Sequence, residues 1–205
     1  MRRSAVVTVA LSLIVSGTAL AQVTGQPSFN APYRGFARYE FGAALSFPGY
    51  DQGPALEGVY RFASREFDVG FRGGVLFNGE EAVLAGVEGR FRAITHSVSF
   101  PLDGAVIFGG GLASNGGSRF YFPLGLSLGR RLNVEGSEVS IVPYAQPTLI
   151  VWNAPVPILG GRDTEVDFSF GLGGDFRLSR AFDVRVSIGI GDVFDGISIA
   201  AVWLR

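Results

Sequence analysis

The chain has 205 residues, one histidine, no cysteine and a formal net charge of −1. The lack of cysteine excludes a disulfide framework and a thiolate metal site, and a single histidine argues against an imidazole-based metal centre. The nearly neutral charge argues against nucleic acid as a partner. Thirty glycines and eighteen phenylalanines favour long strands with small residues on one face and aromatic residues on the other.

The first predicted element is a secretory signal peptide over residues 1–21. Two arginines precede an apolar run that ends at Val15, and small residues then lead into polar sequence. The run is too short for a transmembrane helix, which needs about twenty residues. A basic start, a short apolar centre and a small-residue end are typical of a cleaved export signal. We therefore expect cleavage between Ala21 and Gln22.

The rest of the chain alternates between apolar and polar or small residues, which indicates strands with two opposite faces. The clearest case runs from Glu165 to Leu178, with apolar residues at nearly all even positions. No segment has a helical period, so the prediction is an all-β chain of about ten strands, with eight as the alternative. The predicted strands span residues 36–47, 55–63, 66–77, 82–94, 102–113, 118–130, 138–152, 164–178, 181–191 and 195–205.

This ten-segment pattern behind an export signal resembles small bacterial outer-membrane β-barrel proteins of the OmpA/OmpX/OmpW type. The resemblance covers residues 34–205 and is clearest in the final hairpin, residues 174–189. It implies a transmembrane, antiparallel, up-and-down β-barrel in the outer membrane of a Gram-negative, two-membrane bacterium. Residues 22–33 would then be a periplasmic N-terminal segment. The implied partners are outer-membrane lipid and the secretion and barrel-assembly machinery, and the barrel is expected to be a monomer.

The sequence departs from that class in two places. Its members end in an aromatic residue, whereas here Trp203 is followed by two further residues, of which Arg205 is the last. Pro143 and Pro147 lie within the seventh predicted strand, and proline lacks the N–H that a sheet requires. We expect a bulge or a local opening of the sheet there.

The apolar face is predicted to contact lipid. Alternation alone does not separate a membrane barrel from a soluble one, because a soluble barrel has the same pattern with its faces inverted. Here the polar face is rich in glycine, which suits the crowded lumen of a narrow barrel. The apolar face also places aromatic residues near the predicted strand ends, as interfacial girdles do. These candidate interfacial aromatics are Tyr39, Phe47, Phe62, Phe67, Phe77, Phe91, Phe120, Phe168, Phe176, Phe182 and Trp203.

Charged residues of the polar face cluster toward the predicted periplasmic end. Both signs are present in similar number, which favours a paired network because an unpaired charge in a restricted lumen is costly. We expect this network to close the lumen toward the periplasm, below a small vestibule that is open to the outside. The alternative is a solvated inner mouth with no plug. The predicted lumen charge network is Arg38, Glu40, Arg61, Asp68, Arg72, Glu88, Arg90, Arg92, Asp175, Arg177, Asp183 and Arg185.

No catalytic, cofactor or metal site is predicted. The histidine, His96, falls in a predicted periplasmic loop beside Ser97, which is typical of a polar turn. Glycine-rich segments lie within strands, not between a strand and a helix, which argues against a phosphate-binding loop. The predicted function is therefore a non-enzymatic, structural or surface-interaction role. The alternatives are a narrow, porin-like channel or receptor for a small solute, and a soluble periplasmic ligand-binding barrel.

Overall fold

The fold is known from a computed structural model. None of the residues it describes forms a helix that is long and apolar enough to cross a membrane. The predicted signal peptide and its cleavage site at Ala21 and Gln22 lie outside the described part of the chain. The described residues are 24–49, 52–65, 67–156 and 161–205.

Strands dominate the described part of the chain. They are β1 (Tyr39–Pro48), β2 (Ala55–Ser64), β3 (Phe67–Asn78), β4 (Glu80–Ile94), β5 (Asp103–Ser114), β6 (Ser118–Gly129), β7 (Leu132–Asn133), β8 (Ser140–Val156), β9 (Gly161–Ser179), β10 (Phe182–Gly191) and β11 (Gly196–Leu204). Ten of them form one closed antiparallel barrel, because β1 pairs with β11 and β6 pairs with β8. The remaining strand, β7, has only two residues and, within the described chain, pairs with β8 alone. The predicted all-β, up-and-down antiparallel barrel is confirmed, and the number of barrel strands is ten, not eight.

The barrel has a terminal end, where β1 begins and β11 finishes, and an opposite end. The short connections after Ser64 and Ser179 lie at the terminal end. The two longest connections, residues 95–102 and 130–139, lie there as well. Tight turns and long connections therefore both occur at the terminal end.

The longest strands form a hairpin that projects at the opposite end. β8 has 17 residues and β9 has 19. β9 pairs with β10 only from Ser169 onward, whereas its pairing with β8 begins at Gly161. Within the described residues, the first part of β9 thus has a single neighbouring strand.

Prolines interrupt the sheet where a backbone N–H would be needed. Between β6 and β8 the register is the same on both sides of Pro147, but Leu126 and Ser127 have no partner in β8. The ladder between β5 and β6 is interrupted in the same way opposite Pro123. Proline donates no hydrogen bond, so the sheet opens locally without a change of register. Pro143 behaves in the same way, because Arg130 and Arg131 have no partner in β8 although the register is unchanged beyond them. Both prolines of β8 keep their places in the ladder with β9, and no bulge forms there.

The barrel is polar inside and apolar outside. In β1, Glu40 and Ser46 are fully buried, whereas Phe41 and Phe47 are 43% and 50% exposed. The same alternation follows β9 from Asp167 onward, where the odd-numbered residues face the lumen as predicted. A water-soluble protein buries apolar side chains and exposes charged ones. In this barrel the distribution is reversed, with charged side chains buried and apolar side chains exposed.

Residues 24–36, here called the lumen segment, pass through the barrel before β1 begins. Ala31 is 0% exposed and Phe29 only 3%. At one end Phe36 packs against Leu204 at the terminal end of the barrel. At the other, Gly25 lies against Tyr121, near the opposite end. The expectation of a periplasmic segment over residues 22–33 is therefore wrong for its described part, which lies inside the barrel.

Candidate functional site in the barrel lumen

The backbone of the lumen segment is hydrogen-bonded by side chains of the barrel wall. The segment has no regular secondary structure, so its buried carbonyl groups need partners from elsewhere. Wall side chains take the place of a neighbouring strand and fix the segment along its length. The bonds run from Ser187 Oγ to Pro27 O (2.9 Å), Arg72 Nη1 to Ser28 O (3.2 Å), Tyr144 Oη to Phe29 O (3.0 Å), Ser127 Oγ to Asn30 O (2.6 Å), Arg90 Nη1 to Ala31 O (2.6 Å) and Tyr33 O (2.8 Å), and Arg177 Nη2 to Gly35 O (2.5 Å).

Asn30 joins the lumen segment to three strands of the wall. Its Nδ2 donates to Glu88 Oε1 at 3.1 Å, and its backbone N–H donates to Gln146 Oε1 at 3.2 Å. Its carbonyl accepts from Ser127. These contacts come from β4, β8 and β6, so Asn30 ties the lumen segment to one side of the barrel wall.

A first ion cluster surrounds Arg61, whose side chain is 1% exposed. Arg61 forms ion pairs with Asp68 and Glu88. Asp68 also accepts from Arg90 Nε at 2.9 Å. Arg61 Nε lies 3.9 Å from Glu40, which connects this cluster to a second one. Buried charges of both signs thus compensate one another where water is excluded.

The second ion cluster surrounds Arg185. Its two terminal nitrogens donate to both carboxylate oxygens of Glu40, at 2.6 and 2.7 Å. This two-point geometry is the strong form of an arginine–carboxylate pair. Arg185 also lies 3.4 Å from Asp175 and 3.6 Å from Asp183, and Asp183 accepts from Arg177 Nε at 3.0 Å. Three carboxylates therefore share Arg185, and of these Asp175 has no other arginine within ion-pair distance among the described residues.

The remaining residues of the predicted network are placed differently. Arg72 pairs with Glu57, and Arg92 pairs with Asp103 at 3.0 Å while its side chain is 42% exposed. Arg38 lies outside the network. It precedes β1, its side chain is exposed, and its backbone N–H donates to the Arg205 carbonyl at the rim of the barrel. The expectation for Arg38 is therefore wrong, because the strand alternation does not extend to it.

Three important lumen residues were not anticipated. Glu57 follows the same alternation as Arg61 in β2, so its inward position could have been predicted. Asn30 and Phe194 lie outside the strands, where no periodic pattern indicates which side chains enter the lumen.

The half of the lumen toward the opposite end is closed by aromatic packing. Phe194, from the connection between β10 and β11, is 1% exposed. Its ring centroid lies 6.4 Å from that of Phe29 and 6.2 Å from that of Tyr121. A Cβ atom added to Gly171 would overlap the Phe29 ring, and one added to Gly189 would overlap the Phe194 carbonyl. The glycine-rich face of the strands thus leaves room for this aromatic layer.

A cavity of about 290 Å³ lies at the opposite end, beside this layer. It is bounded by the start of the lumen segment, with Thr24 and Gln26, and by Arg119 and Tyr121 of β6. It lies on the side of the ion clusters where the vestibule was expected, and the opening of that vestibule to the outside stays a prediction.

All the candidate interfacial aromatics lie on the outward face. Trp203 contacts Phe182, with ring centroids 5.2 Å apart, and stacks on Phe41 at 6.0 Å. Outward aromatics also occur near mid-height, where Tyr60 is paired with Phe71 in the β2–β3 ladder. The aromatic surface is therefore broader than two narrow girdles.

His96 belongs to a polar turn at the terminal end. Its Nδ1 lies 2.7 Å from Asp103 Oδ2, while Ser97 Oγ contacts Ser99 Oγ at 3.0 Å and accepts from the Phe100 N–H. The serine hydroxyl is thus engaged within the turn. Among the described residues there is no group of three or more His, Cys, Asp and Glu side chains placed to hold a metal ion.

A closed barrel of ten antiparallel strands with ion pairs inside and apolar side chains outside has the architecture of outer-membrane barrels. Comparison with protein-family models and with curated proteins gave no match, so the resemblance to the OmpA/OmpX/OmpW type stays a prediction. Among solved structures, the chain is similar to Ail, the attachment invasion locus protein of Yersinia pestis. The identity is 13%, the similarity covers 81% of this chain and 91% of that chain, and the TM-score is 0.31. A likeness this distant does not bear on function.

Proposed function

We propose that this chain is a non-enzymatic, integral outer-membrane β-barrel with a structural or surface-interaction role, whose lumen is closed by its own N-terminal segment and ion clusters. The observation that carries this proposal is the reversed burial pattern. Apolar strand residues such as Leu45, Phe71 and Leu149 are 37–53% exposed, while Glu40 and Arg61 are buried. A soluble ligand-binding barrel would leave this apolar surface in contact with water, which favours aggregation.

An orientation follows from the rules for this class of barrel. An even number of strands brings both ends of the barrel sequence to one side, which in outer-membrane barrels is the periplasm. The terminal end would then face the periplasm, and the projecting β8–β9 hairpin would face the outside, where it is available for surface contacts. Outer-membrane lipid would cover the apolar face of the monomer. Export through the signal peptide and insertion by the barrel-assembly machinery are part of the same proposal.

A receptor for a small solute is the second candidate function. It is favoured by the cavity of about 290 Å³ at the opposite end, which has polar side chains at Thr24, Gln26 and Arg119. A channel is less well supported, because the lumen segment fills the space below this cavity.

The membrane location is tested by cell fractionation combined with electrophoresis of heated and unheated samples. We expect the chain in the outer-membrane fraction, with a mobility that changes on heating because the folded barrel resists the detergent. Recovery of the protein as a soluble periplasmic species, without a heat-dependent shift, would contradict the proposal.

A matched pair of variants sharpens this test. Ala43 lies outward near the middle of β1, so Ala43→Arg would place a charge in hydrocarbon at a cost of about 2–4 kcal/mol. The control, Gln52→Arg, lies in the exposed connection between β1 and β2. We expect only Ala43→Arg to reduce the amount of folded protein in the membrane. Equal recovery of both variants would indicate that the apolar face does not contact lipid.

A further inference from the structure

A second cavity, of about 250 Å³, lies at the terminal end of the lumen. It is formed where the lumen segment meets the ends of the barrel strands and the β2–β3 turn. It is distinct from the vestibule at the opposite end. Its lining residues are Pro32, Tyr33, Arg34, Arg65, Asp68, Arg90, Arg92 and Arg131.

The lining of this cavity has a large excess of positive charge. It contains five arginines, and among the described residues Asp68 is its only carboxylate. That carboxylate is already shared by Arg61 and Arg90. In the two ion clusters, by contrast, each arginine pairs with at least one carboxylate. The cavity arginines with no carboxylate within ion-pair distance in the described part of the chain are Arg34, Arg65 and Arg131.

Buried guanidinium nitrogens around the cavity also lack acceptors. These are Nη1 of Arg34, Nη2 of Arg90 and Nε of Arg131, each covered by protein and without a hydrogen-bond partner among the described residues. Arg90 is 3% exposed, and its other nitrogens are held by Asp68 and by two carbonyls of the lumen segment. A buried charged donor without an acceptor is costly. Because these nitrogens are covered by protein, they mark an excess of buried positive charge, and an anion in the cavity would offset that charge electrostatically.

We propose that this cavity binds a small oxyanion with at least two negative charges, of the phosphate type. Guanidinium groups present parallel N–H donors that match the oxygens of phosphate, and several arginines together favour a multiply charged anion over a monovalent one. Arg34 belongs to the lumen segment, whereas Arg90 belongs to β4 of the wall and Arg131 to the connection that follows β6. The bound anion therefore links the segment to the wall and strengthens the closure of the barrel.

The phosphate group has two possible sources, a free phosphate-bearing solute or the headgroup of an anionic lipid. Both offer the same chemistry to the arginines. The experiment has one arm for each source, and the detergent must itself contain no phosphate.

The test is calorimetric titration of the full-length folded barrel in an alkyl maltoside. In one arm, pyrophosphate and inorganic phosphate are titrated into the protein in separate experiments. Chloride at the same ionic strength is the control titrant. The other arm uses mixed micelles with phosphatidic acid, whose phosphate monoester can carry two negative charges. Saturable binding of the soluble anions supports a free solute, and saturable binding of phosphatidic acid alone supports a lipid headgroup. If neither binds saturably, the proposed site does not exist, although the membrane placement of the barrel would stand.

A double variant, Arg34→Gln with Arg131→Gln, locates the binding. Neither side chain has an ion-pair partner in the described chain, so we expect the variant to fold, as its heat-dependent mobility would verify. Binding should weaken at least about tenfold, since each lost charge-assisted hydrogen bond contributes strongly. The control is Arg180→Gln, at the same end, where the 88% exposed arginine pairs with Glu138. Equal weakening by the control, or unchanged affinity in the double variant, would overturn the proposal.

Discussion

The two halves of the lumen are closed by different physical means. Toward the terminal end, buried arginines and carboxylates pair with one another and hold the carbonyls of the lumen segment. Toward the opposite end, Phe29, Phe194 and Tyr121 pack together against strand glycines. Closure at the terminal end depends on pairing each buried charge with one of opposite sign. Closure at the opposite end depends on aromatic rings that fill the space left by the strand glycines. Substitutions should therefore have different consequences in the two halves.

The largest loss of stability is expected from Arg185→Gln in the charged half. Removing this arginine leaves Glu40, Asp175 and Asp183 without their shared partner. Breaking a buried ion pair costs about 3–5 kcal/mol, because an uncompensated charge remains. Urea unfolding of the barrel in lipid vesicles would measure the change in the free energy of unfolding.

The control for this measurement is Arg180→Gln. Its ion pair with Glu138 is exposed, and such pairs contribute about 0–1 kcal/mol. A similar loss for both variants would indicate that the lumen charges are solvated, as in an open inner mouth.

A smaller loss, about 3 kcal/mol, is expected from Phe29→Ala in the packed half. The substitution removes a buried ring and leaves a cavity between the segment and the strands. The same unfolding measurement applies. A loss below about 1 kcal/mol would show that the aromatic layer does not contribute to closure.

The smallest effect, about 1–3 kcal/mol, is expected from Gly171→Ala, because the added methyl group overlaps the Phe29 ring. The double variant with Phe29→Ala provides a matched control. Once the ring is absent, the methyl group has space, so the two effects should not add. Additive effects would mean that Gly171 and Phe29 do not meet in the folded barrel.

The contrast between the two halves also explains what could be predicted from the sequence. The alternation of apolar and polar residues predicted the ends of all ten barrel strands to within four residues. The pattern is strict because a shift of β9 by one residue would turn Asp175 and Arg177 toward lipid. The same alternation identified most of the lumen charges. It failed for Arg38, which lies just before β1, where no neighbouring strand fixes the direction of the side chain.

The lumen segment had no comparable signal. It carries no charged residue between Thr24 and Tyr33, so it is compatible with either the lumen or solvent. Its position is set by hydrogen bonds from residues more than forty positions away, such as Arg72 to Ser28. Phe194 likewise enters the lumen from a connection between strands. Long-range contacts of this kind leave no periodic pattern in the sequence.

The claim that the barrel is closed by its own N-terminal segment is tested most directly by single-channel recording in a planar lipid bilayer. The intact protein should show no steady openings, whereas a variant lacking residues 24–33, verified as folded by its heat-dependent mobility, should conduct. Steady, large openings from the intact barrel would contradict the account, and so would a folded deletion variant that remains closed.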